Sequence, residues 1–280
     1  MAGMITSAGI SGSLDAADLV TAVLTKGIEL SNLQSLVDQV NVPNLTGTVP
    51  IASIASVSED LEELEVSDIE GAEFTYVTFD LKKDRVKLAV SDEATYKSRA
   101  GDPLNIQING AGLQLANILD KKVAAAIETN PQTETAGKPW DTVTNNVLYD
   151  IGEAVTGVLP YKADFIAMPK AVYTAYLQND TIKDLAMGNP AALTGAVGRV
   201  PGFNLDIFID DRLTAKSFIV GSSKFCGVLG KGPVHVRKWD AEDIGAMVYQ
   251  LDVWRQVKSP IYKTAGNTNM AVFQKTAVLS

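Results

Sequence analysis

The sequence predicts a mixed α+β protein, and three observations carry that reading. From Leu104 to Glu128, apolar residues recur at Ile108, Ala111, Leu115, Ile118, Leu119, Val123 and Ile127, the spacing of one face of a long helix. From Phe74 the period changes to two: Val77, Phe79 and Leu81 alternate with Thr78, Asp80 and Lys82, and after "KKDR" the alternation resumes in the other phase with Val86, Leu88 and Val90. The last part of the chain is rich in strands, with "GPVHVRKW", "GAMVYQLDVWRQVKSP" and "NMAVFQKTAVL". One long helix with sheets on either side of a middle insert is an α+β arrangement.

The remaining elements follow in order. Residues 1–13 are small and polar and read as an arm. "DAADLVTAVLTK" places Leu19, Val20, Val23 and Leu24 at helical spacing behind a Ser13 or Asp15 cap, and Gly27 is expected to interrupt it. "SNLQSLVDQVNVPN" opens with Ser31 and Gln34 in capping-box spacing. With Leu33, Leu36, Val37 and Val40 on one face, it reads as a second helix stopped by Pro43. Residues 47–90 read as two strands joined by an acidic tip, with a bend near Asp84. "TNPQTETAGKP" reads as a linker and a domain boundary. A helix follows, capped by Asp141 and carrying Val143, Val147, Leu148, Ile151 and Val155. "ADFIAM" is a short buried strand, Pro169 starts a helix through Leu177, and "GNPAALTGAVGRVPGF" is a long loop before the strands "NLDIFIDD" and "SFIVGS".

Composition narrows the function. The 280 residues are 46% hydrophobic and 20% charged, enough apolar content for a core and for two domains. A net charge of −9 argues against binding a phosphate backbone as the main task. The lone Cys226 excludes an internal disulfide, and no run approaches the roughly 20 apolar residues that span a bilayer.

Few residues suggest chemistry. Asp210 and Asp211 are adjacent on a strand and so point to opposite faces, which makes a strand-end turn the simpler reading than a shared proton or metal. Cys226 and the only histidine, His235, could form a nucleophile pair, but no third residue is marked to orient the imidazole. Metal clusters of the His/Cys type are excluded by count, and no cofactor signature is present. "LGKGPV" and "TGAVGRVPG" lack the Lys-Ser/Thr ending of a phosphate loop and read as turns. The basic doublets Lys82–Lys83, Lys121–Lys122 and Arg237–Lys238 are scattered rather than interleaved with aromatics, and Trp140, Trp239 and Trp254 read as core or interface anchors.

The most informative stretch runs from Ile54 to Leu81. It holds Glu59, Asp60, Glu62, Glu63, Glu65, Asp68, Glu70, Glu73 and Asp80 without a lysine or arginine. A tract of one sign repels itself. A compact chain of this length has a radius of gyration of roughly 19 Å, whereas strands of about 15 residues reach roughly 50 Å. The hairpin is therefore expected to project toward a basic surface on another molecule.

The order of these elements resembles the major capsid proteins of tailed double-stranded DNA phages and related archaeal viruses, the Hong Kong 97 fold family. The resemblance runs from about residue 14 to the end. "LKKDRVKLAVSDEATYKS" is similar to the family's return strand and its approach to the spine helix, here about 102–128. "ADFIAMPKAVYTAYLQ", "TGAVGRVPGFNLDIFIDD" and "SFIVGSSKFCGVLG" are similar to axial-domain segments, and "GPVHVRKWDAEDIGAMVYQLDVWRQVKSPIY" to the closing peripheral strands.

The resemblance implies an N-terminal arm at 1–30 and an extended loop at 47–84. It implies a discontinuous peripheral domain at 31–46, 85–131 and 233–280, and an axial domain at 132–232. It implies a non-enzymatic subunit that assembles with copies of itself, as hexamers and pentamers, into an icosahedral shell around double-stranded DNA. The shell would form in the host cytoplasm and become the virion capsid, with a portal and scaffolding or cement proteins as further partners and no membrane. With Met1 almost at the arm, the scaffold would be a separate protein, absent, or a removed segment.

The expected inter-subunit contacts join Glu59, Asp60, Glu62, Glu63 and Glu65 of one copy to Lys121, Lys122, Arg237 and Lys238 of the next. Some relatives stitch the shell with a loop lysine, a neighbour's asparagine and a catalytic glutamate. Here residues 58–72 contain no lysine and His235 falls near the glutamate's place, so no such bond is expected. Two other readings stay open at this point: an encapsulin-like compartment enclosing cargo enzymes, and a hydrolase built on Cys226 and His235.

Overall fold

The computed structural model describes residues 16–51, 75–91, 103–142, 147–188, 198–242, 245–260 and 268–280. Helix α1 is Ala16–Leu30, and a short 3-10 turn, Gln34–Leu36, leads into β1 (Asp38–Asn41). Strands β2 (Thr46–Ile51), β3 (Thr75–Asp80) and β4 (Lys82–Ser91) precede the long helix α2 (Pro103–Ile127). Then come β5 (Pro131–Thr135), α3 (Val147–Gly157), β6 (Phe165–Met168), α4 (Lys170–Gln178) and α5 (Asp180–Gly188). Strands β7 (Asp206–Ile209), β8 (Phe218–Gly221), β9 (Val228–Ala241), β10 (Ala246–Lys258) and β11 (Asn269–Thr276) complete the chain.

The strands form three sheets: β1-β9-β10-β4, β5-β11-β8-β6-β7, and the separate pair β2-β3. The five-stranded sheet is covered on both faces, which explains the uninterrupted apolar run of β6. Ile166 and Met168 enter a core with Trp140, Ile151, Val172 and Phe218, while Phe165 and Ala167 enter another with Leu119, Val123, Ile127 and Val272. In the four-stranded sheet, Val86, Leu88, Leu251 and Val253 face Ile108, Ala111 and Leu115 of α2. The long helix therefore serves two cores in succession.

Several expectations are corrected. Gly27 does not interrupt α1. It sits where α1 crosses α2, opposite Gly112, and a Cβ on Gly112 would lie 2.7 Å from the Lys26 Cβ and 3.2 Å from the Gly27 nitrogen. The glycine pair is a point of close backbone approach, not a break.

The expected helix at 31–42 is only the 3-10 turn. Asp120 of α2 caps its start, accepting from Ser31 Oγ at 2.6 Å and from the Asn32 and Leu33 N–H groups at 3.1 Å. β1 then pairs in parallel with β9. The buried faces of Leu33, Leu36 and Val37 survive, but tertiary pairing overrides the local helical pattern.

The supposed linker at 129–139 contains β5, the edge strand beside β11. Asp141 accepts from Ser280, Val143 lies outside the described residues, and the described helix α3 runs from Val147. Ile118 is exposed rather than buried. The chain breaks between β3 and β4 at Leu81, three residues before the expected bend at Asp84. "LGKGPV" lies inside strand β9: Cβ atoms on Gly230 and Gly232 would strike Phe79 at 2.8 Å and Leu81 at 2.6 Å, so these glycines seat the foot of the β2-β3 hairpin. Within 233–280, β9 and β10 lie in the four-stranded sheet and β11 in the five-stranded one.

Gly112→Ala is expected to lower stability by about 1–3 kcal/mol, because overpacking at the crossing exceeds the helix-propensity gain of up to about 1 kcal/mol. Gly110→Ala, where a Cβ meets nothing within 4 Å, should be neutral or stabilising. Urea unfolding of the two variants decides, and equal midpoints would refute the crossing argument.

Candidate functional site

Strand alternation builds the surface of interest. On β4, Val86 and Leu88 point to α2, so Lys83, Arg85 and Lys87 point away from it. The register sets Lys87 beside Gln250 and Gln250 beside Arg237, and it sets Arg85 beside Asp252 and Asp252 beside His235. Residues aligned across strands share a face. The outer face of the four-stranded sheet therefore gathers Lys83, Arg85, Lys87, His235 and Arg237. Two tryptophans lie among them: the Lys83 ammonium is 5.7 Å from the Trp254 ring centre and that of Lys87 5.9 Å from Trp239. His235 meets Trp254 edge-on at 5.0 Å.

The carboxylate paired into this face is already neutralised. Arg85 donates to both oxygens of Asp252 at 2.7 and 3.1 Å, and Gln250 adds a third donor at 3.0 Å. The Arg85 hydrogen bond holds the Asp252 carboxyl below its usual range, against the opposing effect of burial. Beneath the sheet, Asp84 accepts from Lys122 at 2.8 Å and from Arg255 Nε at 2.7 Å, while Arg255 also donates to the Leu115 carbonyl. This network rivets α2 to β4 and β10.

The expected contact residues are placed unevenly. Glu59, Asp60, Glu62, Glu63 and Glu65 lie outside the described residues. Lys121 is exposed on α2. Lys122 is engaged by Asp84 of its own chain, so it is not the free cation that its sequence position suggested. Arg237 is exposed on the outer face. Lys238, its neighbour, points to the other side of β9, where its ammonium lies 5.4 Å from the Tyr249 ring. The sequence reading missed Lys83, Arg85 and Lys87 as a set, although their spacing of two in "KKDRVKL" is the signal that puts them on one face.

The candidate catalytic groups are kept apart. Cys226 is buried, donates to the Leu36 carbonyl at 2.9 Å, and has its thiol pKa pushed well up by burial. His235 is exposed on β9, about seven strand residues (~23 Å) further along than Val228 near Cys226. Asp210 pairs with Arg212 at 2.6 Å, and Asp211 accepts the first N–H of α4, from Lys170, at 2.8 Å, so the two carboxylates serve separate turns. Among the described residues, no group of three or more His, Cys, Asp or Glu is placed to hold a metal. No helix there is long and apolar enough to cross a membrane.

The sequence model of a family described as phage capsid protein matches residues 76–259. The chain belongs to the phage capsid protein family. Solved structures agree on the fold of this capsid protein. A virus-like particle from Pyrococcus furiosus superposes with a TM-score of 0.62 at 10% identity, covering 92% of this chain and 98% of that one. The capsid of an empty GTA particle gives 0.61 at 14% identity over 98% of this chain and 94% of that one. The capsid of the cyanophage P-SCSP1u gives 0.58 at 12% identity over 89% of each chain. No curated protein matches the sequence.

The fold is the Hong Kong 97 type, and the protein is a major capsid protein. The family match favours the phage capsid over the encapsulin-like compartment, since identities this low show the fold alone.

A second ionic cluster fixes the five-stranded sheet. Lys275, 1% exposed, donates to Glu153 at 2.6 Å and pairs with Glu134 at 3.0 Å. Burial alone would lower the Lys275 pKa, but the hydrogen bonds to Glu153 and Glu134 outweigh it and raise it. The bonds from Lys275 and then Tyr149 depress Glu153.

The signs follow. Asp252 and Glu153, being depressed, contribute stability above their ordinary range that is lost as pH falls through their folded values. Lys275, being raised, contributes below its ordinary value and loses that as pH climbs past its folded one. The melting temperature should therefore fall at acid pH below about 4 and again above about 10.5. Arg85→Gln should give a shallower acid limb, and Lys275→Met should flatten both limbs. Unchanged slopes in thermal melts across pH would show that these pairs are not linked to folding.

Proposed function

We propose that this capsid protein assembles with copies of itself, as hexamers and pentamers, into a closed icosahedral shell around double-stranded DNA. We place the acidic segment 59–65 of one subunit on the cationic outer face of the four-stranded sheet of the next. The supporting observation is the separation of charge. A tract of nine carboxylates from Ile54 to Leu81 has no internal cation. The outer face gathers Lys83, Lys87 and Arg237 around an aspartate already held by Arg85. Exposed pairs are worth only about 0–1 kcal/mol each, but a closed shell repeats them in every subunit.

In this reading the arm is 1–30, the extended loop 47–84 and the axial domain 132–232 joined by β11. The peripheral domain is built on 31–46, 85–131 and the strands following residue 233. The subunit has no catalytic role. Its further partners are a portal, scaffolding or cement proteins, and packaged DNA bound without sequence specificity. Assembly takes place in the host cytoplasm and the product is the virion shell.

Replacing Glu59, Glu62, Glu63 and Glu65 together by Gln is expected to reduce particle yield severalfold while leaving the subunit's circular dichroism and melting unchanged. Electron microscopy and sedimentation read the result. Full assembly of this variant would remove the electrostatic contact, and wild-type protein that stays monomeric across salt and concentration would remove the shell.

Covalent stitching is not expected, because residues 58–72 carry no lysine. Particles boiled in detergent should run as one band near 29.8 kDa. A ladder of multimers would overturn that.

A further inference from the structure

Between α1, the 3-10 turn, α2 and strands β9 and β10 lies a recess of about 220 Å³. Its floor is Leu115, Leu119, Leu229 and Gln34, none more than 6% exposed, and Ile28 and Val234 stand exposed at its rim. The Gln34 side-chain oxygen finds no hydrogen-bond donor among the described residues. The turn does not need this amide, since the Gln34 backbone N–H is already satisfied by Ser31 Oγ at 3.3 Å. A buried acceptor without a donor costs free energy that leucine at the same place would avoid.

Of the two cations that line the recess, only Arg255 is ion-paired, and Lys231 is bonded to a neutral amide and keeps its charge. Arg255 is held by Asp84 and the Leu115 carbonyl, and Lys231 by Gln39. The floor therefore offers apolar walls and the Gln34 acceptor, while Asn41 and the charged Lys231 stand nearer the solvent. A dry cavity of about 150 Å³ holds benzene, so this one has room for a bicyclic ring.

We propose that the recess binds a small neutral aromatic amphipath, with a compact apolar body and one N–H or O–H donor directed at Gln34 Oε1. A buried floor behind the exposed Ile28 and Val234 makes a concavity that a compact free molecule fills. A bound ring would bridge α1 to β9 and β10.

Indole and 1-methylindole, which lacks the donor, are the probes. Ligand-observed saturation-transfer NMR and thermal melting of the purified capsid protein are the readouts. Indole should show saturable transfer and raise the melting temperature, and 1-methylindole should bind roughly five- to tenfold more weakly, the worth of one hydrogen bond. Gln34→Leu should abolish that preference. Val234→Trp, at an exposed rim position that leaves the core intact, should block both ligands.

Absence of saturable transfer from indole up to its solubility limit would overturn the proposal, leaving the recess to water or to a neighbouring subunit. Equal affinity of the two probes for the wild type would remove the role of Gln34. Indole binding that survives Val234→Trp would place the ligand elsewhere.

Discussion

The structure depends on one helix being shared by two cores. Ile108, Ala111 and Leu115 of α2 belong to the core under the four-stranded sheet, and Leu119, Val123 and Ile127 to the core under the five-stranded sheet. A helix of this length spans roughly 38 Å, so it fixes the separation of the two sheets as a rigid strut. The changeover between Leu115 and Leu119 is where the polar contacts concentrate. Arg255 binds the Leu115 carbonyl, and Asp120 closes the 31–33 turn while Arg212 approaches it at 3.6 Å. Apolar burial holds each half of the helix, and charge-assisted bonds set its position along the axis.

The ion pairs divide by burial. Asp84 with Arg255 and Lys122 is mostly enclosed, and removing one partner there would strand a charge in low dielectric. The lysines of the outer face lie over aromatic rings but have no carboxylate partner among the described residues. On the outer face Asp252 is held by Arg85, and Lys83, Lys87 and Arg237 are left around it.

How much was legible in the sequence follows from the range of the forces involved. The long helix, the alternation through β3 and β4, and the buried run of β6 are set by local periodicity, and they were readable. The turn at 34–36 was not, because its fate depends on Asp120, almost ninety residues away, and on pairing with β9. The glycines at 112, 230 and 232 look in sequence like weak points or turns. Only the approach of Lys26, Phe79 and Leu81 shows why side chains are excluded there. At the candidate site, the cations were visible individually. Which of them share a face depended on strand register, which separated Arg237 from Lys238 and spent Lys122 on Asp84.

The foot of the β2-β3 hairpin has a mechanical meaning. Among the described residues no third strand joins its ladder; it is anchored by Phe79 and Leu81 pressed over Gly230 and Gly232 and by the Asp80 N–H donating to Gln256 of β10 at 2.8 Å. Val42, Val77 and Val228 close a small core around them. Residues 52–74 join β2 to β3, so a pull on that connection reaches this socket, which meets β9 at Gly230 and Gly232, and the far end of β9 carries Arg237 and Trp239 on the outer face. In the proposed assembly, tension on one loop would be felt by the strand that receives the neighbouring loop, giving adjacent subunits a route for sharing load around a ring.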